Sequence, residues 1–362
     1  MNYQNAINEI KGADVQAMES AREYIDTLIK PFGALGRLEE IAARLAGVTG
    51  AVKNRFPKRA IVVMAADNGV YDEGVAAAPQ AFTRLQAMNM TRGICGVSVL
   101  AKAAGADVVV VDIGLKEAAG TDAVLDRNVR HCTGNMAKGP AMSHEEAEAA
   151  IEAGFDVASG LFAQGYGVIG TGEMGIANTT TTSACAIALL GLDPGLAVGR
   201  GAGLTDEALA NKIEVVKRAL AKNMPDADDP VDVLAKVGGL DIAGLAGCYL
   251  AAAYHRKPIL IDGAIAAVAA LIAARLCPDA KDFMFATHRS PEPSYDAAIK
   301  ELGLTPFLEM GMRLGEGSGC ALAFSVIDAA CVMICDMGTF DDIAFDDSVL
   351  VDIRENEVEE NQ

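Results

Sequence analysis

Short apolar runs recur along the chain, each followed by a longer alanine-rich stretch with helical spacing. They are AIVVMAADN at 60–68, ADVVVVDIG at 106–114, GYGVIGTGEMG at 165–175, PILIDGA at 258–264 and DFMFATHRS at 282–290. A continuous apolar run, rather than an alternating one, is what a strand buried on both faces requires. Helical crossovers between such strands return the chain to start the next one in parallel. The pattern predicts an α/β fold, a parallel sheet with helices on both faces. Each run carries its polar residue at its C-terminal end: Asp67, Asp112, Glu173, Asp262 and His288. That edge of an open parallel sheet is where ligands bind, although a charged residue also appears wherever a strand simply leaves the core. The first fifty residues and those after Cys320 read as mainly helical, either as a small helical appendage or as flanks of the sheet. The expected division is an α/β catalytic domain over 51–324 and a small helical domain made of 1–50 together with 325–362.

Composition narrows the function classes. With 362 residues, 51% of them hydrophobic, the chain can bury a large core. Its 49 acidic and 30 basic residues give a formal charge of -19, a sign that repels nucleic acid and anionic membrane, so neither is expected as a partner. The eight cysteines are scattered, and the closest pair, Cys331 and Cys335, is not a C-x-x-C. Neither a zinc knuckle nor a disulfide framework is indicated, and reduced thiols in a cytoplasmic protein fit best. The N-terminus lacks a basic region followed by an apolar core. The longest uninterrupted apolar run, Gly263 to Ala274, is too short to cross a bilayer. Disorder is expected only in the acidic tail, DIRENEVEENQ.

Three glycine-rich stretches carry candidate chemistry. In YGVIGTGEMGIANTTTTSACAIALLG a strand runs into a glycine turn, then Asn178, four threonines and Ser183 open a helix. Backbone N–H groups and hydroxyls at a helix start make an anion site, or else an over-furnished N-cap. Gly170, Gly172 and Gly175 also satisfy G-x-G-x-x-G, which opens a nicotinamide-dependent oxidoreductase reading, although Glu173 would set a carboxylate beside the pyrophosphate. A second turn, VGRGAGLTDEALANK, places Gly199, Arg200, Gly201 and Gly203 ahead of a helix carrying Lys212, a type more often solvated than ligating. In MRLGEGSGCALA, Glu316 stands between glycines just before a long apolar run. It is either a residue complementing the helix end or a carboxylate kept reachable.

Taken together, these stretches resemble the nicotinate-nucleotide:dimethylbenzimidazole phosphoribosyltransferase family. The likeness runs through KPFGALGRLEE, MAADNGVYDEGVAAAPQAFT, NMTRGICGVSVLAKAAGA, GEMGIANTTTT, VGRGAGLTDE, VGGLDIAGLAG, ILIDGAIAAVAAL, HRSPEP and MRLGEGSGCALA, in one order over nearly the whole chain. The resemblance implies a Rossmann-like parallel sheet with a small helical domain from both chain ends, and a homodimer, with pairing to an unlike homologue as the alternative. The implied reaction moves a 5-phosphoribosyl group from nicotinate mononucleotide to an aromatic base, with neither cofactor nor metal. Glu316 takes the place of the family's catalytic base and Glu173 that of its second carboxylate. Arg313 and Lys212 are implied as cationic contacts to the nucleotide. The turn Gly175, Asn178, Thr179 and Thr180 and the turn Gly201 to Gly203 are implied as its phosphate and ribose cradle, and Ser290 contacts the nicotinate end. Asp262, Gly315, Gly317 and Ser318 complete the substrate-binding set, while Ala78, Gln86 and Met174 fall on the acceptor side. Ala34, Asn68 and Ala78 depart from residues common in the family, and the last two leave the acceptor's identity open between 5,6-dimethylbenzimidazole, other benzimidazoles and phenols. The acceptor pocket is expected to use Ala76, Ala77, Ala78, Met88 and Met174.

Overall fold

The computed structural model describes residues 2–345 and 350–352, so all but the first residue of the acidic tail lies outside the described residues. Each apolar run forms a strand: β1 Arg59–Ala66, β2 Asp107–Gly114, β4 Val168–Met174, β5 Ile259–Ile261 and β6 Met284–Ala286. A two-residue edge strand, β3 Leu125–Asp126, joins them and had no apolar signal because it pairs on one side only. The sheet order is β3-β2-β1-β4-β5-β6 and every pair is parallel. This is the order of doubly wound nucleotide-binding folds, with its reversal, and hence its natural ligand crevice, between β1 and β4. Every residue of β4, β5 and β6 is buried, as strands sandwiched between helices must be.

Two compact units are present. The larger comprises the described residues up to Lys11 together with Lys58–Ala323 and holds the whole sheet; the smaller comprises Gly12–Pro57 and the described residues from Phe324 on. In the larger unit, the helices His144–Ala163 and Leu240–Tyr254 approach through glycines. A Cβ on Gly154 would stand 1.8 Å from the Gly244 carbonyl oxygen, and one on Gly247 1.9 Å from that of Ile151. No other residue fits there, and the contact sets where the second helix delivers Asp241. A capping box at Ser143 and Glu146 starts the first of these helices. In the smaller unit, KPFGALGRLEE forms a turn and the start of the helix Arg37–Thr49, tied by a buried Lys30–Glu39 ion pair at 3.0 Å.

The helix Ser318–Asp336 begins in the larger unit and continues in the smaller one. By length and composition it could cross a membrane, but 61% of its most apolar window is buried within the protein, which is how a core helix satisfies the same test. All eight cysteines are free thiols.

Candidate active site

The five strand-end polar residues are all buried at the carboxyl edge of the sheet: Asp67, Asp112, Glu173, Asp262 and His288. A cleft of about 590 Å³ opens over that edge. Its walls come from the segment after β4, the Val198–Ala202 turn, the starts of the segments after β5 and β6, and the loop ending at Glu316.

The Glu316 loop answers why a glutamate sits between glycines. Gly315, Glu316 and Gly317 have φ values of 77°, 64° and 93°, three left-handed residues in succession. Glycine adopts that conformation freely, whereas a residue with a Cβ is held in it at a cost of about 1–2 kcal/mol. Strain of this kind persists only where the surroundings over-determine it. Here they do: Asp262 accepts the N–H groups of Gly317 at 3.1 Å and Gly319 at 2.6 Å, clamping the start of the helix Ser318–Asp336. The Ser318 hydroxyl donates back to Gly315 O at 2.8 Å. The Glu316 side chain, only 5% exposed, borders the cleft. Its Oε1 accepts from Gln86 Nε2 at 2.7 Å and its Oε2 from the Val97 N–H at 3.2 Å. Each oxygen keeps a further lone pair for an incoming proton.

Glu173 is the second carboxylate. It accepts from the backbone N–H of Glu316 and from Asn178 Nδ2, which also donates to Asp241 Oδ2 at 2.9 Å. Burial first, then the Asp241 charge, push the Glu173 carboxyl up to about 8, so it is protonated at neutral pH. Burial also raises Asp241 to about 6, against the hydrogen bond from Asn178. The two acids flank one amide, which serves both.

Lys212 is fully buried rather than solvated. Its Nζ donates to Thr179 Oγ1 at 2.8 Å and to Gly199 O at 2.9 Å, under the turn that contains Gly201. Burial lowers its ammonium to about 8, while the charge of Glu292 works the other way.

Of the sequence-derived candidates, Glu316, Glu173, Arg313, Gly175, Asn178, Thr179, Gly201, Ser290, Gly315, Ala78 and Met174 line the cleft. Lys212, Gln86, Asp262, Gly317 and Ser318 stand behind that lining and hold it. Thr180 is fully buried and Gly203 lies off the lining. The hydroxyl cluster is largely internal: Thr181 and Thr182 donate to Asn178 O, and Ser183 to Thr179 O. Ala76, Ala77 and Met88 do not line the cleft; Phe82, Ile176, Ile265 and Leu314 supply apolar lining instead. Asn68 is buried without a hydrogen-bond partner for its amide, close to Asp241 rather than in the cleft wall. Among the described residues no group of three or more His, Cys, Asp or Glu could hold a metal.

The oxidoreductase reading fails on geometry. Gly170 and Gly172 lie inside β4, not in a strand-to-helix turn, so their N–H groups belong to the sheet. Their smallness serves packing: a Cβ on Gly172 would stand 2.3 Å from Glu316 O, and one on Gly170 2.5 Å from Cys320 Cβ. Sequence reasoning passed over Asp241, signalled by a lone acid in an otherwise apolar helix, and Glu292, within HRSPEP.

Comparison with known proteins gives one consistent result. A family model described as Phosphoribosyltransferase matches residues 10–344. The nicotinate-nucleotide–dimethylbenzimidazole phosphoribosyltransferase of Ruminiclostridium cellulolyticum is 47% identical over 342 residues, 94% of this chain and 97% of that protein. Its namesake from Acetivibrio thermocellus is 48% identical over 327 residues, 90% and 93% of the two chains. The crystal structure of the Thermus thermophilus enzyme of the same name superposes with a TM-score of 0.86 at 41% identity, covering 91% of this chain and 98% of that one.

Proposed function

Since the chain belongs to the nicotinate-nucleotide–dimethylbenzimidazole phosphoribosyltransferase family, we propose that Glu316 is the base of its transfer reaction and that the cleft holds nucleotide and acceptor side by side. The protein is a phosphoribosyltransferase that moves the 5-phosphoribosyl group of nicotinate mononucleotide to a lower-ligand base, giving an α-riboside 5'-phosphate and nicotinate for cobamide synthesis. The acceptor nitrogen attacks the ribose anomeric carbon, and the glycosidic bond breaks with its electron pair passing to the pyridinium ring. Nicotinate therefore leaves with a neutral ring and needs no proton. The acceptor, by contrast, must lose its ring N–H proton, and a positioned carboxylate takes it.

The observation that carries the assignment is the strained, clamped Glu316 loop, which brings one carboxylate with free lone pairs to the cleft. Lys212 and the Gly201 turn serve the phosphate end, and Arg313 reaches the nucleotide from the exposed rim. Ser290, in the cleft lining after β6, serves the nicotinate end of the nucleotide. Protonated Glu173 faces the reacting centre without adding a second negative charge.

The lining near Glu316 supports a second reading of the acceptor. Ala78, Phe82, Met174 and Leu314 offer apolar surface with few directional demands, so phenol or p-cresol is also accepted, with Glu316 removing the O–H proton. A homodimer is proposed, with a heterodimer of homologues as the alternative. In the test, enzyme, nicotinate mononucleotide and each acceptor are mixed and free nicotinate and riboside phosphate are followed. 5,6-Dimethylbenzimidazole is expected to react fastest, and Glu316→Gln to lower turnover about 10²-fold or more with nucleotide binding retained. Wild-type turnover in Glu316→Gln rejects the base assignment.

A further inference from the structure

Glu292 is a carboxylate in the cleft wall that none of these roles uses. It immediately precedes the helix Pro293–Glu301, where an acidic side chain could turn toward the free backbone N–H groups of the first turn, yet it makes no capping bond. Its Oε1 instead accepts the Gly201 N–H at 2.8 Å. The carboxylate also presses on Gly199, where a Cβ would stand 2.1 Å from Oε2. Beneath the same turn lies Lys212, whose Nζ would be 3.6 Å from a Cβ on Gly201 and which senses the Glu292 charge. A left-handed glycine with its N–H aimed at an anion, beside a buried lysine, is the make-up of a phosphate cradle. In this protein a side-chain carboxylate holds it.

We propose that Glu292 is an internal anion that competes with the substrate's phosphate for the Gly201 N–H, yielding it when the nucleotide enters and reclaiming it when the product leaves. The inference rests on the reading of Lys212 and Gly201 as the phosphate end. One N–H and one ammonium cannot hold two anions at contact range, because the anions repel each other more strongly as water is excluded. Substrate and product carry the same phosphate, so a built-in competitor weakens both and prevents the product from being retained. It also keeps a charge partner near Lys212, whose ammonium burial disfavours.

The experiment is calorimetric titration of wild type, Glu292→Gln and Glu292→Ala with three probes: nicotinate mononucleotide, inorganic phosphate and nicotinate riboside, which lacks the phosphate. Both variants are expected to bind the two phosphate-bearing probes about three- to thirtyfold more tightly, and nicotinate riboside as wild type does. Glu292 is half-buried, so both variants are expected to fold, which circular dichroism checks. Weaker or unchanged phosphate affinity in folded variants overturns the proposal, and so does an equal gain for the riboside. Should wild type bind inorganic phosphate but not the nucleotide, the substrate reading falls while the comparison on phosphate still decides the role of Glu292.

Discussion

Glu173 and Glu316 show how two glutamates at one sheet edge acquire different work. Glu316 is held by N–H donors on both oxygens, whereas Glu173 shares Asn178 with a neighbouring acid and is pushed up to about 8. That shift has a consequence for stability. Between about 4.5, the ordinary carboxyl value, and about 8, the unfolded chain has released a proton that the folded one keeps. The contribution of Glu173 is therefore complete below that window, is lost as pH rises through it, and stays lost above. Glu173→Gln, which cannot ionise, is expected to gain stability relative to wild type steadily from pH 5 to 8. Thermal midpoints measured across that range test it, and parallel curves for the two proteins count against a raised carboxyl.

The strand β4 and the loop before the helix Ser318–Asp336 act as one device. Gly172 is small so that the Glu316 carbonyl can rest against the strand, and Asp262, one residue past β5, clamps the helix start from below. Gly172→Ala inserts a methyl 2.3 Å from that carbonyl oxygen, and backbone rather than a flexible side chain must give way. A displacement of about 1 Å in a catalytic group costs on the order of 10²-fold in rate. The expected result is a fall of that size in kcat, with nucleotide affinity close to wild type because Lys212 and Gly201 belong to another segment. Equal losses in kcat and in affinity reject the idea that Gly172 positions the base. The same geometry explains why GTGEMG resembles a dinucleotide fingerprint without being one. The glycines answer to a neighbouring backbone in the sheet rather than to a pyrophosphate.

Over the whole molecule, an excess of nineteen negative charges surrounds a site for an anionic nucleotide. Locally positive elements make this workable: the Gly201 N–H, Lys212, and Arg200 and Arg313 in the cleft lining. The helices Phe82–Thr91 and Gly96–Ala103 leave Phe82, Leu85 and Val99 exposed, with Ile94 between them. Apolar exposure of that kind on neighbouring elements is what the homodimer proposed above would cover. Sedimentation velocity is expected to show a species of two chains at micromolar concentration, and Leu85→Glu to shift it toward one chain. A wild-type monomer that becomes active only with an unlike homologue favours the heterodimer instead.

The strands and their parallel pairing were legible in the residue pattern, because a run buried on both faces must be apolar throughout, and so was the gathering of Asp67, Glu173, Asp262 and His288 at one edge. Glu316 between its glycines stood out in the sequence but stayed open between a helix-end residue and a reachable carboxylate, because the left-handed φ values and the place beside the cleft belong to the folded chain. The edge strand β3 was not, being too short to carry a period. Nor could periodicity show that Lys212 is buried, that Asp262 caps a helix instead of lining the cleft, or that Glu292 meets Gly201 across 91 positions of sequence. Those outcomes depend on which segments the sheet order brings together. Local sequence sets the conformation a segment prefers, whereas burial, pKa and hydrogen-bond partners are properties of the neighbours, and only the folded chain supplies the neighbours.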